Sequence, residues 1–412
     1  MSEYFDSRDT MSAECREAEL LASLPNHVAF AKAQTPYFAE LFKEIDPVSV
    51  DSREALSKLP VTYKSDLVAA QSEKPPFGGM NATPVGDLLR VFRSPGPICE
   101  PEGKGDDFWR GARALHAAGV RRGDIVHNSF SYHLTPGAWL LDSAARSLGA
   151  AVFPAGVGNT DLQVEAMSHF QANVFCGTPD FLKILMERAR EMGANVSSLK
   201  KAIVGGGALP PSLRQLISDE FGFTPLQNYG TADLGIIAYE SPAMEGMLIN
   251  EGAIVEIVRP GSGEPVTEGE VGEVLVTLLN KDYPLTRFAT GDLSAIMPGE
   301  SPCGRTAPRI KGWMGRADQT TKIRGMFVRP TQLEQVRTAH PEILKLRLTV
   351  TSENHRDQFT VACETENHDP NLAEKIEATV SKFINLSGPV TLVTPGSLPS
   401  DGKVIEDARS YE

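Results

Sequence analysis

Apolar side chains along residues 12–44 recur at mixed spacings of three and four (Leu20, Leu21, Leu24, Val28, Phe30, then Phe38, Leu41, Phe42), which predicts two amphipathic helices broken near Pro36. Leu59-Pro60-Val61-Thr62-Tyr63-Lys64-Ser65-Asp66-Leu67 follows, with Thr62 or Ser65 placed to cap a short helix. From residue 88 the pattern changes, and short β-rich runs alternate with amphipathic runs of helical length. Strands are predicted at 88–92, 124–128, 150–154, 174–176, 201–204 and 224–228, and helices at 107–118, 136–148, 160–170, 180–192 and 211–220. Such alternation means a parallel sheet with helices on both faces, with ligands in the loops beyond the strands' carboxyl ends. From 247 the runs become short alternating strands, 254–258 and 272–277 around Pro260-Gly261-Ser262-Gly263, which predicts a small antiparallel β unit. Residues 331–412 read as α+β: helix 331–339, strands 344–351 and 359–364, helix 370–384 and strand 390–394. The tail 396–403 reads as a flexible loop presenting Lys403. Gly315 to Pro330 lacks apolar periodicity and carries basic residues, an acid and two glycines, so it reads as a polar linker or as a hinge that also carries chemistry.

The fold class is therefore α/β, with a large amino-terminal domain over 1–315 and a small α+β carboxy-terminal domain over 316–412. Within the first, 1–87 forms a helical lead-in, 88–246 the α/β core and 247–315 the β unit. A chain of 412 residues with 41% hydrophobic content has the material for two or three cores. No apolar run approaches the roughly 20 residues of a membrane span. The first residues lack the basic start and apolar core of a signal peptide, so a soluble cytoplasmic protein is expected, with no membrane partner. A formal net charge of -13 argues against nucleic-acid binding, although a local basic pocket for a phosphorylated ligand does not show in a sum. Cys15, Cys99, Cys176, Cys303 and Cys363 are odd in number, scattered and without metal-ligand spacing, which reads as reduced thiols. Oligomeric state is not legible.

Several loops carry candidate chemistry. Gly205-Gly206-Gly207-Ala208 leaves a strand and precedes a helix, where bare backbone could lie against a planar or phosphorylated ligand or merely pack strand to helix. Asn228-Tyr229-Gly230-Thr231-Ala232-Asp233 places an aromatic face, amide and hydroxyl groups and a carboxylate within six residues. That set could stack a base and hold a magnesium ion, or be an ordinary turn. Thr290-Gly291-Asp292 reads as the close of the antiparallel unit, where the carboxylate could accept from a ribose diol or belong to a hairpin turn. Phe130, Tyr132 and His133 follow a strand end and, with Gly156, are candidate pocket lining, although a lone histidine is usually satisfied structurally.

The order of these segments resembles the adenylate-forming superfamily of acyl-CoA synthetases, most closely its phenylacetate-coenzyme A ligase branch. The carrying residues are Leu59–Leu67, Gly123–Asn128, Tyr229–Asp233, Thr290–Leu293, Cys303-Gly304-Arg305-Thr306 before Pro308-Arg309-Ile310, Gly315–Pro330 and Gly402-Lys403. The resemblance implies an ATP-dependent carboxylic acid–coenzyme A ligase that forms an acyl-adenylate, with ATP/AMP, Mg2+ and coenzyme A as ligands. It implies that Tyr229 stacks on adenine with Gly206, Gly207, Asn228, Gly230 and Thr231 around it, and that Asp292 and Arg316 hold the ribose hydroxyls. Asp233, where the family usually has glutamate, would help hold magnesium. Asp318 would be the hinge, Lys403 would reach the carboxylate and α-phosphate, and Lys322 would serve the second half-reaction.

One segment departs from the family pattern. Where a phosphate loop rich in Ser, Thr and Gly is expected, the chain has Arg93-Ser94-Pro95-Gly96-Pro97-Ile98-Cys99-Glu100-Pro101. Two prolines remove amide donors and Glu100 adds like charge, leaving Ser94, Gly96 and Arg93 as candidates for phosphate contact. Two other functions stay open beside the ligase: a non-catalytic nucleotide- or acyl-adenylate-binding relative, and an adenylating enzyme that hands its acyl group to a carrier protein or an amine.

Overall fold

The computed structural model describes residues 3–317, 319–353, 356–367, 369–399 and 403–409. It divides into two compact units, one of Met1–Leu209 and Arg214–Met314, the other of Pro210–Leu213 and Gly315–Glu412.

The first unit is α/β. Its lead-in helix Ala13–Gln34 runs through Pro25 without a break, capped by the Ser12 hydroxyl accepting from the Cys15 amide. The chain breaks at Thr35, which caps the short helix Pro36–Leu41 with proline at its first position. Thr62 and Ser65 cap nothing: Thr62 lies in the strand Thr62–Tyr63, and the helix Leu67–Glu73 has no side-chain cap.

A nine-stranded sheet forms the centre. Its parallel half orders Ala151–Pro154, Ile125–Asn128, Val174–Gly177, Lys201–Val204 and Leu226–Thr231. Its other half is antiparallel: Gly235–Tyr239, Met247–Ile249, Arg309–Ile310 and Ile296–Met297. The sequence pattern missed this half because Gly235–Tyr239 and Met247–Ile249 are buried on both faces and show no alternation. A second, four-stranded sheet joins Ala253–Val258, Gly272–Leu278 and Phe288–Ser294 antiparallel, with Thr62–Tyr63 added parallel to the last. Thr290-Gly291-Asp292 therefore lies inside a strand and not in a hairpin turn.

The second unit is α+β. Thr321–Ile323 and Met326–Val328 pair as a tight hairpin, so the aperiodic hinge stretch is in part ordered strand. Its turn residues Arg324 and Gly325 both have positive φ, at 48° and 84°, as a two-residue hairpin turn requires. Ile323 and Val328 drop into the unit's core beside Leu333, Val336 and Ile376. A sheet orders Val390–Val393, Arg356–Glu364, Lys345–Glu353 and Ile405–Asp407, backed by the helices Pro330–Ala339 and Pro370–Ile384. The strand Ile405–Asp407 was not expected; it anchors the far end of the tail that carries Lys403. Among the described residues no helix is long and apolar enough to cross a membrane.

In the first unit Arg287 is buried at positive φ (45°) where the strand Phe288–Ser294 begins. Its guanidinium donates to Leu59 O (2.6 Å), Gly263 O (2.6 Å) and Glu256 Oε2 (3.1 Å). Its own carbonyl accepts from the Thr62 amide at 3.0 Å. Removing the guanidinium strands Glu256 in a buried position and releases two carbonyls. Arg287→Leu should therefore lower the unfolding free energy by about 3–5 kcal/mol in urea titration, the scale for breaking a buried ion pair.

Candidate active site

The strand order changes direction between Ile125–Asn128 and Val174–Gly177, since the chain goes from the first of these outward to Ala151–Pro154 and returns to the other side. Such a switch opens a crevice at the carboxyl ends of the strands. Gln163 fixes its rim: its amide nitrogen donates to Gly156 O (2.9 Å) and Gly158 O (2.7 Å), and its oxygen accepts from Ser129 Oγ (2.8 Å). His127 Nε2 lies 2.9 Å from the same oxygen, and burial pushes that imidazole below its ordinary range, favouring the neutral ring. Gly156 faces open space where a side chain would stand. Phe130 is half-buried at the strand end and His133 is exposed. Tyr132, expected as pocket lining, is engaged within the protein. Its hydroxyl accepts from Asn128 Nδ2 (3.0 Å) and donates to Asp142 Oδ2 (2.9 Å), which commits it to holding the loop on the helix Gly137–Ser147.

The neighbouring strand ends bring Gly205–Gly207, Asn228, Tyr229 and Asp292 together. A side chain at Gly205 would come within 2.6 Å of Asn228 Oδ1, so the glycine permits the close approach. The Asn228 Nδ2 amide is buried and has no partner. Gly206 adopts φ 66°, and Gly207 would tolerate contact only with Pro179. The Tyr229 hydroxyl lies 2.9 Å from Asp292 Oδ2 and 3.4 Å from Thr290 Oγ1. Asp292 Oδ1 accepts from Trp313 Nε1 at 3.2 Å. These two donors orient the Asp292 carboxylate, which is an acceptor-only group of the kind that receives hydroxyl donors. Gly230 packs on the Gly235 carbonyl, where a side-chain carbon would sit at 2.4 Å, and Thr231 Oγ1 accepts from the Leu234 amide at 3.2 Å. These contacts shape the turn between two antiparallel strands, and Asp233 stands in it.

Asp233 is 4% exposed. Lys64 Nζ donates to its Oδ2 at 2.5 Å, while its Oδ1 is buried without a partner. Close by, Glu100 is fully buried and accepts from the Ser94 hydroxyl (2.5 Å) and amide (3.2 Å). Burial, and then the Asp233 carboxylate, push the Glu100 carboxyl up to about 8. The Tyr283 phenol is also pushed well above its usual range, by burial first and then by Asp233 and Glu100. Sequence reading had set Ser94 apart as a phosphate contact; the structure pairs it with Glu100. Lys64 was not singled out as a site residue, although it directly follows the strand-like Val61-Thr62-Tyr63 run inside the Leu59–Leu67 segment.

In the second unit, Lys322 extends along the hairpin with its ammonium 5.7 Å from the Phe327 ring, and its carbonyl accepts from Arg409 Nη1 at 3.0 Å. Gln319 Oε1 accepts from the Val404 amide (2.9 Å), which ties the segment just after Lys403 to the hinge stretch. Lys403 is exposed, and Arg316 is partly buried at the start of the unit. Asp318, expected as the pivot, lies outside the described residues.

The AMP-binding enzyme family profile matches residues 129–278, the span that holds the crevice, the glycine loop, Tyr229 and Asp233. Phenylacetate-coenzyme A ligase of Pseudomonas putida is 30% identical over 83% of this chain and 78% of that protein. The enzyme of the same name from Thermus thermophilus is 29% identical over 96% of each. The solved structure of 2-hydroxyisobutyryl-CoA ligase in complex with 2-HIB-AMP and CoA superposes with a TM-score of 0.85 at 25% identity, covering 100% of this chain and 93% of that one. A carboxylate oriented by Tyr229 and Trp313, beside a glycine loop at the strand ends of a matching fold, is thus found in a chain that belongs to the phenylacetate-coenzyme A ligase family of AMP-binding enzymes, an AMP-forming acyl-coenzyme A ligase by class.

Proposed function

We propose that the chain is an ATP-dependent carboxylic acid–coenzyme A ligase that works through an acyl-adenylate and acts on a small aryl or hydroxy acid. The observation that carries the reading is the Tyr229–Asp292–Trp313 arrangement, which holds a carboxylate in a fixed orientation beside an aromatic ring. In this reading the ring face of Tyr229 stacks on adenine, the unpartnered Asn228 amide donates to its edge, and Asp292 accepts from the ribose hydroxyls, with Arg316 as their second contact. The small-acid reading is supported by the relatives' class, and Phe130, His133 and the open space at Gly156 are proposed to line its pocket. The commitment of the Tyr132 hydroxyl makes that tyrosine a wall and not a polar contact.

A carboxylate is a poor acyl donor until an adenylyl group makes one of its oxygens a leaving group. Its attack on the α-phosphorus builds negative charge on the phosphate oxygens, so catalysis calls for fixed positive charge there. Lys403 supplies it in this proposal, at the carboxylate and α-phosphate oxygens. The orphaned Oδ1 of Asp233 fits one bond to magnesium, which commonly takes one or two carboxylates and completes its shell with phosphate and water. Bound there, the ion would add positive charge against the phosphates. Lys64 fixes the Asp233 carboxylate through its other oxygen and so aims Oδ1. In the second half-reaction the coenzyme A thiol attacks the acyl carbon, AMP departs and the thiol proton passes to solvent; Lys322 is proposed to serve this step, and rotation of the smaller domain, 316–412, at Asp318 to separate the two.

Three measurements test the reading. A pyrophosphate-release screen over small aryl, hydroxy and short-chain acids should find an acid whose continuous turnover and thioester product both require coenzyme A; turnover indifferent to the thiol contradicts the ligase assignment. Lys403→Ala should lower acid-dependent pyrophosphate release about 100-fold or more, the scale of removing one transition-state charge contact, and an unchanged rate removes Lys403 from the mechanism. Asp292→Asn should weaken AMP binding in calorimetry about tenfold, as loss of charged acceptors for a diol implies, and an unaltered affinity would place the ribose elsewhere.

A further inference from the structure

Residues 94–98 are the tip of a hairpin whose strands, Arg90–Arg93 and Cys99–Glu102, pair Arg93 with Cys99 and Phe92 with Glu100. A phosphate loop works by turning several backbone N–H groups and a hydroxyl towards one anion. Here Pro95 and Pro97 have no N–H to offer. The Ser94 amide is shared between Ile98 O (2.8 Å) and Glu100 Oε2 (3.2 Å). The Ser94 hydroxyl is held by Glu100 Oε1 at 2.5 Å. The loop thus has its own occupant: a fully buried carboxyl group seated on the serine that a phosphate would use.

The surroundings add to the effect. Asp233 lies near Glu100, and Lys64, the cation that pairs with it among the described residues, already donates to its Oδ2. A ligand phosphate reaching Ser94 must displace the Glu100 side chain and enter beside a second carboxylate. The glycine loop Gly205–Gly207, Asn228, Tyr229 and Asp292 form a separate set of contacts whose hydrogen bonds do not involve Ser94 or Glu100. In the proposed function a ligand at the adenylate level, AMP or an acyl-adenylate, needs no contact from this loop, whereas a nucleotide with β- and γ-phosphates calls on it.

We infer that Glu100 is a specificity-determining residue that fills the phosphate loop and biases the nucleotide site towards adenylate-level ligands over ATP. The inference rests on the nucleotide site of the proposed function and deepens it. The ATP-consuming half-reaction is then the one that has to move Glu100 aside, whereas the thioester-forming half-reaction does not.

The test is calorimetric titration of the full chain with ATP and with AMP, for the wild type, Glu100→Ser and Glu100→Ala, with thermal melting to establish folding. The two truncations differ in polarity, so a folding failure of one leaves the other to decide. The wild type should bind AMP at least as tightly as ATP. Freeing Ser94 should raise the ATP-to-AMP affinity ratio about tenfold, the scale of a hydrogen bond to a charged group. A folded variant whose ratio is unchanged or lower overturns the inference while AMP binding keeps the nucleotide site standing. Binding of neither nucleotide by any form overturns the site itself and the inference with it.

Discussion

The guanidinium of Arg287 is the constraint on which the candidate site rests. It closes three segments on one another: the carbonyl of Leu59 ahead of Lys64, the turn at Gly263, and Glu256 on the strand Ala253–Val258, two strands across the sheet. The strand it starts carries Thr290 and Asp292, and its own carbonyl seats the strand that leads into Lys64. A buried arginine is costly to desolvate, and only near-complete pairing offsets that cost. Here each guanidinium nitrogen has an acceptor, so the geometry of two distant motifs, Leu59–Leu67 and Thr290–Asp292, is set by one side chain that touches neither the expected nucleotide contacts nor the acid.

Charge in the interior of the first unit is arranged with the same economy, except at one place. Lys64 pairs with Asp233, leaving Glu100 to face that carboxylate with Ser94 as its hydrogen-bond donor among the described residues. Two carboxyl groups and one ammonium in an enclosure cannot all be satisfied as ions, and the raised value of Glu100 expresses that frustration. Frustration of this kind is tolerated where a ligand or ion is to be received. Asp233 keeps an unpartnered oxygen there, which is the group best placed to receive one.

Much of this was legible in the sequence, and the misses have physical causes. The alternation from 124 to 221 placed the parallel strands and their helices within a few residues, because each amphipathic helix reports the face it buries. The antiparallel half of the large sheet was invisible, since Gly235–Tyr239 is apolar at every position and periodicity has nothing to read. Thr290-Gly291-Asp292 looked like a turn because Gly-Asp is common in turns, yet the glycine serves a strand with a register shift beside it. The hairpin at 321–328 hid behind its charges: Ile323 and Val328 are its only two fully buried side chains. Tyr229 and Asp292 were each named as nucleotide contacts, but their hydrogen bond to each other is a pairing across 63 residues that local pattern does not report. Lys64 escaped for the same reason, its partner lying 169 residues away.

The central claim is that the acid is activated as an acyl-adenylate in the first unit before the thiol takes it. Running the reaction with acid labelled by 18O in its carboxylate, and locating the label afterwards by mass spectrometry, tests this most directly. Attack of the carboxylate on the α-phosphorus predicts one 18O atom in the phosphate of the AMP released, with none in the pyrophosphate. Label in inorganic phosphate or pyrophosphate, or unlabelled AMP formed together with thioester, would contradict it.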